Sequence, residues 1–537
     1  MREVASLSKG NRERKGLSVN ITLRSFLAVC AVYLSLPVAV FFMGWLKIWI
    51  AVPATLILCL MTALFVRDSV RSPSKELLSK EETSFEVPLT YIIILAAAAV
   101  LIALISDVGE YVWGSADHAY RRAIFRDLVN YDWPVFYDLS KQSDPVINSY
   151  LPDTVVGFSY YLTFWTVPAV IGKVLGFAAG NFCLLLWASA GLFLTLTGMS
   201  MALRKKTYAV IFTMICFAGL DFIPYIYNEF IGTKQEWMWL EGYTRHIVYI
   251  SNINNILNVF NQCIPCWLIA VMFMLTKNNR GVGFLGAMMF PYSPWATIGL
   301  VPIAIWSVFT KKNRSSSVKG NILNILDPVN IVTPLLILFI FAPYFTANGN
   351  ATSVSGNTIG FYGGIGAFLA GYLLVILVEI LPSFLLLFGA RKKDSLFYTV
   401  LAALLIMPFY KISYQNDFTM RGAMPEFFIL SVMLAGVIAE KVETTGRDKN
   451  GHVIRKTPRE YLKLAGGALL VFVMSLIALQ QLLITVISTF DGSRRFTEDI
   501  YSFGDMRHPE YGNYYTVDEQ FFVYDHEEQF FYKYLAR

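Results

Sequence analysis

Apolar runs of about 18 residues or more recur along almost the whole chain, separated by short loops rich in Lys and Arg. A hydrocarbon layer about 30 Å thick takes about 20 helical residues to cross. Inside it every backbone N–H and C=O must be satisfied within the protein, which favours helices. The expected fold class is therefore an all-α polytopic membrane protein. Composition agrees: of 537 residues, 55% are hydrophobic and only 15% charged, against about 25% charged in soluble domains. A net charge of +6 is mild; it suits a membrane surface and gives no case for nucleic acid.

The basic residues assign the sides. Arg2, Lys9, Arg12, Arg14 and Lys15 precede the first run and place the N-terminus in the cytoplasm. No small-residue cleavage site follows that run, so a retained helix is expected rather than a signal peptide. About eleven spans are expected, near 20–43, 47–66, 88–106, 180–203, 207–226, 257–276, 329–345, 363–390, 396–410, 422–439 and 462–489. The segment 151–176 looks like a span too. If it crossed, Arg204, Lys205 and Lys206 would lie outside; held on the outer side as an interfacial or re-entrant helix, it puts every later basic loop inside. Residues 281–310 carry PYSPW in mid-run and read as two short helices going halfway out and back. Broken helices persist at membrane depth only where protein or a cavity covers them.

The chain then divides into a cytoplasmic basic tail (1–19), a transmembrane hairpin with its cytoplasmic loop (20–87) and a core (88–440) with outer loops 107–179, 221–256, 346–362 and 410–421. A cytoplasmic loop (441–461), a last span (462–489) and an extracytoplasmic tail (490–537) follow. The expected location is the plasma (inner) membrane.

The dense polar clusters all fall in the outer loops. In GSADHAYRRAIFRDLVNYDWP (114–134), Ser115 can cap a helix starting at Ala116, with Asp117 in its first turn where the helix dipole favours a carboxylate. Ala119, Tyr120, Ala123, Ile124 and Leu128 make an apolar face. Asp117 and Arg121, with His118 and Arg122 at the edge, make a polar one, so the helix reads as amphipathic and interfacial. A surface helix held by an Asp117–Arg121 pair is the plainer reading. The functional one makes Asp117 a general base and the arginines a bidentate phosphate grip. A second cluster holds Asp221, Glu229, Glu236, Glu241, Arg245 and His246, with Arg245 as a substrate contact and His246 in a structural or substrate-contact role. A third holds Lys411, Asn416, Asp417, Arg421 and Glu426; Arg421 either snorkels at a helix end or, with Lys411, grips a lipid-linked phosphate. The tail adds Arg494 and Arg495. Glu379, inside an apolar run, is a functional candidate by default, with no partner legible in the sequence. Cys263 and Cys266 are the one close cysteine pair among six and read as membrane-edge hydrophobes, because no second pair completes a zinc site. No nucleotide-binding or hydrolase motif stands out.

The segments GSADHAYRRAIFRDLVNYDWPV (114–135), GFSYYLTFWTVPAVIGK (157–173), NQCIPCWLIA (261–270), FPYSPWATIGLVP (290–302) and NDFTMRGAMP (416–425) resemble the outer-loop pattern of GT-C class integral membrane glycosyltransferases. The resemblance covers roughly residues 107–430. It implies transfer of a sugar from a polyprenyl-phosphate or polyprenyl-diphosphate donor to a glycan or lipid acceptor on the extracytoplasmic face. It implies Asp117 as the base that deprotonates the acceptor, and Arg421, with Lys411, as holders of the lipid phosphate. No cofactor is expected, and no doubled acidic motif calls for a metal, although Asp107 and Glu110 stand loosely spaced nearby. Three other readings remain: a polysaccharide polymerase or ligase using lipid-diphosphate oligosaccharides, a secondary transporter or lipid flippase built around mid-bilayer ionisable groups, and a non-enzymatic membrane scaffold.

Overall fold

A computed structural model of the chain describes residues 17–69, 84–141, 154–232, 239–244, 246–311, 318–348, 355–413, 416–445, 457–491, 502–504 and 521–537. Arg245, Glu236, the basic residues before Leu17, and Arg71, Lys75, Lys80, Lys312, Arg314, Arg494 and Arg495 lie outside the described residues.

Among the described residues, eight helices are long and apolar enough to cross a membrane: Leu23–Trp45, Ile48–Asp68, Phe177–Leu203, Asn252–Leu275, Ile322–Thr346, Ile365–Arg391, Asp417–Glu443 and Pro458–Phe490. The protein is an all-α polytopic membrane protein. Of the three further spans expected from the sequence, two are shorter apolar helices, Leu89–Ile105 and Ser395–Phe409.

The third departs from expectation. Residues 207–226 form no continuous helix; α7 (Ala209–Cys216) stops, and α8 (Phe222–Phe230) starts after a break. Gly219 and Asp221 sit in the break, and Pro224 follows, residues poor at propagating a helix. The freed backbone groups are recaptured: Asn252 N–H donates to Phe217 O at 3.1 Å and Leu220 N–H to Val378 O at 2.9 Å.

The first hairpin is α1 (Leu23–Trp45) and α2 (Ile48–Asp68), joined at mid-depth by Ser35 and Thr62 hydroxyls 2.9 Å apart. β1 (Ser18–Thr22) pairs antiparallel with β2 (Ser84–Pro88), so α1 and α3 (Leu89–Ile105) leave opposite ends of one two-stranded ladder. The segment 151–176 does not hold a span-length helix. It is β4 (Val155–Phe158), one short turn and α5 (Thr166–Leu175), whose 10 residues reach about 15 Å. α5 folds back on α6 (Phe177–Leu203) so closely that a Cβ on Gly180 would lie 2.6 Å from Gly172 Cα. The 281–310 region is the expected pair of short helices, α10 (Val282–Met289) and α11 (Pro294–Thr310), the second capped by Ser293 Oγ on Ala296 N–H at 3.3 Å.

At the centre stands α9 (Asn252–Leu275), buried almost throughout and kinked at Val259. Against it pack α1, α6, α7, α10 and α11 and two later helices, α16 (Met424–Thr445) and α17 (Pro458–Phe490); α12 (Pro328–Thr346), α13 (Ile365–Arg391, with a π turn at Ile376–Ile380), α14 (Ser395–Ile406) and α15 (Asp417–Gly422) pack on these neighbours. Loops of like assignment meet. At one end Asn278 Nδ2 donates to Asp68 O (2.6 Å), Arg280 Nε to Asn324 Oδ1 (2.9 Å) and Lys311 Nζ to Thr276 Oγ1 (3.0 Å), all in loops that the basic pattern places in the cytoplasm. The loops of opposite assignment gather around the cavity described below.

There, β3 (Phe136–Asp138), β4 and β5 (Phe522–Val523) form a small antiparallel sheet. The segment after it returns to α1: Tyr532 Oη donates to Phe158 O at 2.9 Å, Lys47 N–H to Leu535 O at 2.9 Å and Arg537 N–H to Trp45 O at 2.8 Å.

Candidate functional site

α4 spans Ala116–Asn130, starting where the sequence indicated. Its polar face is not open to an interface, however. His118, Arg121, Arg122 and Asp127 are all buried, because α5, α6, the start of α9 and the segment at Phe503 cover what would otherwise be the wet side. Nor does the Ser115 side chain cap the helix; its hydroxyl donates to Asn258 Oδ1 at 2.7 Å.

Most of the charge in 114–134 is held internally. Arg122 Nη2 donates to Asp107, whose Oδ2 also lies 3.3 Å from His118 Nδ1. Burial pushes the Asp107 carboxyl up to about 7 against the pull of Arg122. Burial, helped by Arg121, pushes His118 down to about 3. A neutral His118 that donates from Nε2 to Leu257 O presents a bare Nδ1 to Asp107, which a proton on that carboxyl satisfies. Arg126 pairs with Glu110 at 2.5 Å. Asp127 accepts from Tyr137 Oη (2.7 Å) and Phe503 N–H (2.9 Å), and burial raises it to about 6.

Asp117 and Arg121 are left for the cavity, a space of about 980 Å³ bounded by the ends of α3, α9, α12 and α17, by α4 and α15, and by the α10–α11 tip. Asp117 is half exposed (50%) and stands 3.4 Å from Arg121, which is 7% exposed. Arg121 Nε and Nη1 are buried without a hydrogen-bond partner. Across the cavity the same arrangement recurs: Asp417 (37% exposed) and Arg421 (13%) are 3.8 Å apart, again one helical turn from acid to base. Tyr160 lies within electrostatic reach of all four; burial raises its phenol, and Arg121 and Arg421 draw it back. Tyr160 and Tyr161 rings sit 4.7 Å apart, Tyr161 meets Phe345 at 5.4 Å and Tyr160 meets Phe521 at 4.9 Å. The floor is acid–guanidinium and one wall aromatic, a lining that suits an anion joined to a ring-shaped polar group.

Of the candidates from the sequence, Asp117, His118, Arg121, Asp417 and Arg421 line this cavity. His118 has both ring nitrogens engaged and acts as a brace between α4 and the kink in α9. Arg122 is taken up by Asp107 and is not in the lining. His246 and Lys411 are not in it either. They bond each other at 2.7 Å, with Lys411 over the Phe361 ring, and stand behind α15, where Asn416 Nδ2 donates to His246 O at 2.8 Å. Lys411 therefore does not reach the cavity as a phosphate grip would, and His246 takes the structural one of its two expected roles: both steady the helix that carries Asp417 and Arg421. The aromatic residues Tyr160, Tyr161, Trp239 and Trp295, and Glu241, complete the lining without having been singled out as site residues. The adjacent tyrosines and the PYSPW break were the available signals.

Cys263 and Cys266 are free thiols buried in α9. Among the described residues no group of three or more His, Cys, Asp or Glu is arranged to hold a metal ion. No family model matches the chain, and no curated protein and no solved structure matches it.

Proposed function

We propose that the chain is a GT-C-like glycosyltransferase of the plasma membrane, moving a sugar from a polyprenyl-phosphate or polyprenyl-diphosphate donor to a cell-envelope glycan or lipid on the extracytoplasmic face. One observation carries the reading: two Asp–Arg pairs, from opposite thirds of the chain, meet at one aromatic-walled cavity.

In this mechanism Arg121 and Arg421 hold the donor phosphate from two sides. The buried, unpartnered Nε and Nη1 of Arg121 are donors waiting for an acceptor. Asp117 takes the proton of an acceptor hydroxyl, and that oxygen forms a bond to the anomeric carbon. The bond from that carbon to the phosphate oxygen breaks on the opposite face, its electrons leave on the phosphate, and the configuration inverts. Guanidinium donors aimed where charge develops stabilise such a leaving group. The tyrosines stack against the sugar and keep water from competing.

The test is transfer of labelled sugar from a panel of polyprenyl-phosphate sugars by purified protein, with envelope glycan and lipid fractions as acceptors. Turnover by the wild type, lost in a folded Asp117→Asn variant, supports the reading. Equal turnover in the variant removes Asp117 from the chemistry.

A further inference from the structure

A second group of acids lies beside the cavity, away from both arginines. Asp221 is in the break after α7, Glu241 in the turn Leu240–Tyr243, and Glu379 in the π turn near the middle of α13. They are 1%, 1% and 3% exposed. A Cβ on Gly219 would fall 3.0 Å from Asp221 Oδ2 and closer still to Glu379 Oε2, so these two carboxyl groups face each other across a space that only glycine leaves open. The Leu220 to Val378 hydrogen bond ties the two broken stretches together at this point.

Donors are scarce. Tyr243 Oη serves Glu379 Oε1 at 2.9 Å, and Ser251 N–H serves Glu241 Oε1 at 2.8 Å. Both oxygens of Asp221 and Oε2 of Glu241 are buried and receive no well-aligned hydrogen bond among the described residues; the N–H groups of Gly219 and Asp221 approach the first carboxyl and the Ser251 and Asn254 side chains the second, without balancing the three charges. The ionisable groups acting on the cluster are its own three acids, Tyr243 and, toward Glu379, Tyr249; Glu426 of α16 acts on Tyr249. No ion pair reaches the three acids among the described residues.

Adjacent carboxylates in a dry site cannot all ionise. One shared proton removes a charge and supplies the missing donor. The spacing offers no three-ligand metal set among the described residues. We propose that Asp221, Glu241 and Glu379 form a proton-binding site, occupied at neutral pH, that exchanges its proton with the main cavity through Glu241. Glu241 is the member that reaches the cavity wall. Burial, reinforced by the charge of Asp221, pushes its carboxyl up to about 8.

The experiment is infrared difference spectroscopy of the full chain in lipid nanodiscs, titrated with acid and base. The wild type keeps a protonated-carboxyl absorption at pH 7 that Asp221→Asn and Glu379→Gln each diminish and Asp117→Asn does not. Where either variant fails to fold, Glu241→Gln at the cavity wall is read instead, and it shifts the titration of that absorption. An absorption at pH 7 unchanged in the folded cluster variants overturns the proposal. So does its loss from the wild type on adding sodium or magnesium chloride, which would mark a cation site. No sugar takes part in this readout, so its failure leaves the transferase reading standing.

Discussion

Five carboxyl groups in two places behave as two kinds of chemistry. Asp117 and Asp417 each stand one helical turn before an arginine at the edge of the cavity, and water reaches them. Asp221, Glu241 and Glu379 are buried side by side, with only Glu241 reaching the cavity wall. The first pair can exchange ligands without rearranging the fold, because solvent and guanidinium groups balance the charge. In the second group charge is balanced by protons, so its state follows pH. Neighbourhood, more than residue type, decides which acid does chemistry and which stores a proton.

The hardest blow to this contrast is Asp117→Asn. Loss of a general base costs typically 10²–10⁴-fold in rate, and sugar transfer should fall by that order while the melting temperature holds. Glu241→Gln strikes the other side. Because the fold raises this carboxyl to about 8, folding favours its neutral form. Its contribution to stability is complete below the ordinary Glu range near pH 4.5, declines as pH rises, and is gone above about pH 8. Melting of the wild type should weaken across that window by on the order of several kcal/mol, and the glutamine variant should flatten it. Arg421→Lys sharpens the first side: trading a bidentate fork for a point charge should raise KM for a lipid-phosphate donor about 10-fold, on the scale of a charge-assisted hydrogen bond. The smallest effect is expected at Tyr532→Phe, which removes one hydrogen bond to Phe158 O. A loss of about 1 kcal/mol should appear as faster amide exchange in β4 and β5, with the acid cluster unaffected.

Hydropathy made the long helices legible, because a 20-residue apolar run has few other uses. The basic loops grouped the segments, and 151–176, which they left out of the spans, holds no span-length helix. What stayed hidden was long-range. Asp117 and Arg121 were visible as a pair because they are four residues apart; their counterpart across the cavity needed the fold. Arg121 and Arg122 are neighbours in sequence, yet one faces the cavity and the other faces Asp107. The partners of Glu379 lie in segments far upstream, Asp221 in a stretch that reads as an unbroken span. A window average hides a break whose backbone groups are satisfied by distant segments.

Phe521 forms part of the cavity wall, and the residues beyond it stitch β4 to the end of α1. All of them follow α17 in the chain. A ribosome therefore delivers each of the eight long apolar helices among the described residues before it delivers this piece of wall. The cavity is an open cup while the helices find their places, and it gains its rim only afterwards. Chain order becomes assembly order, and the cavity cannot be complete until the last helix has been made.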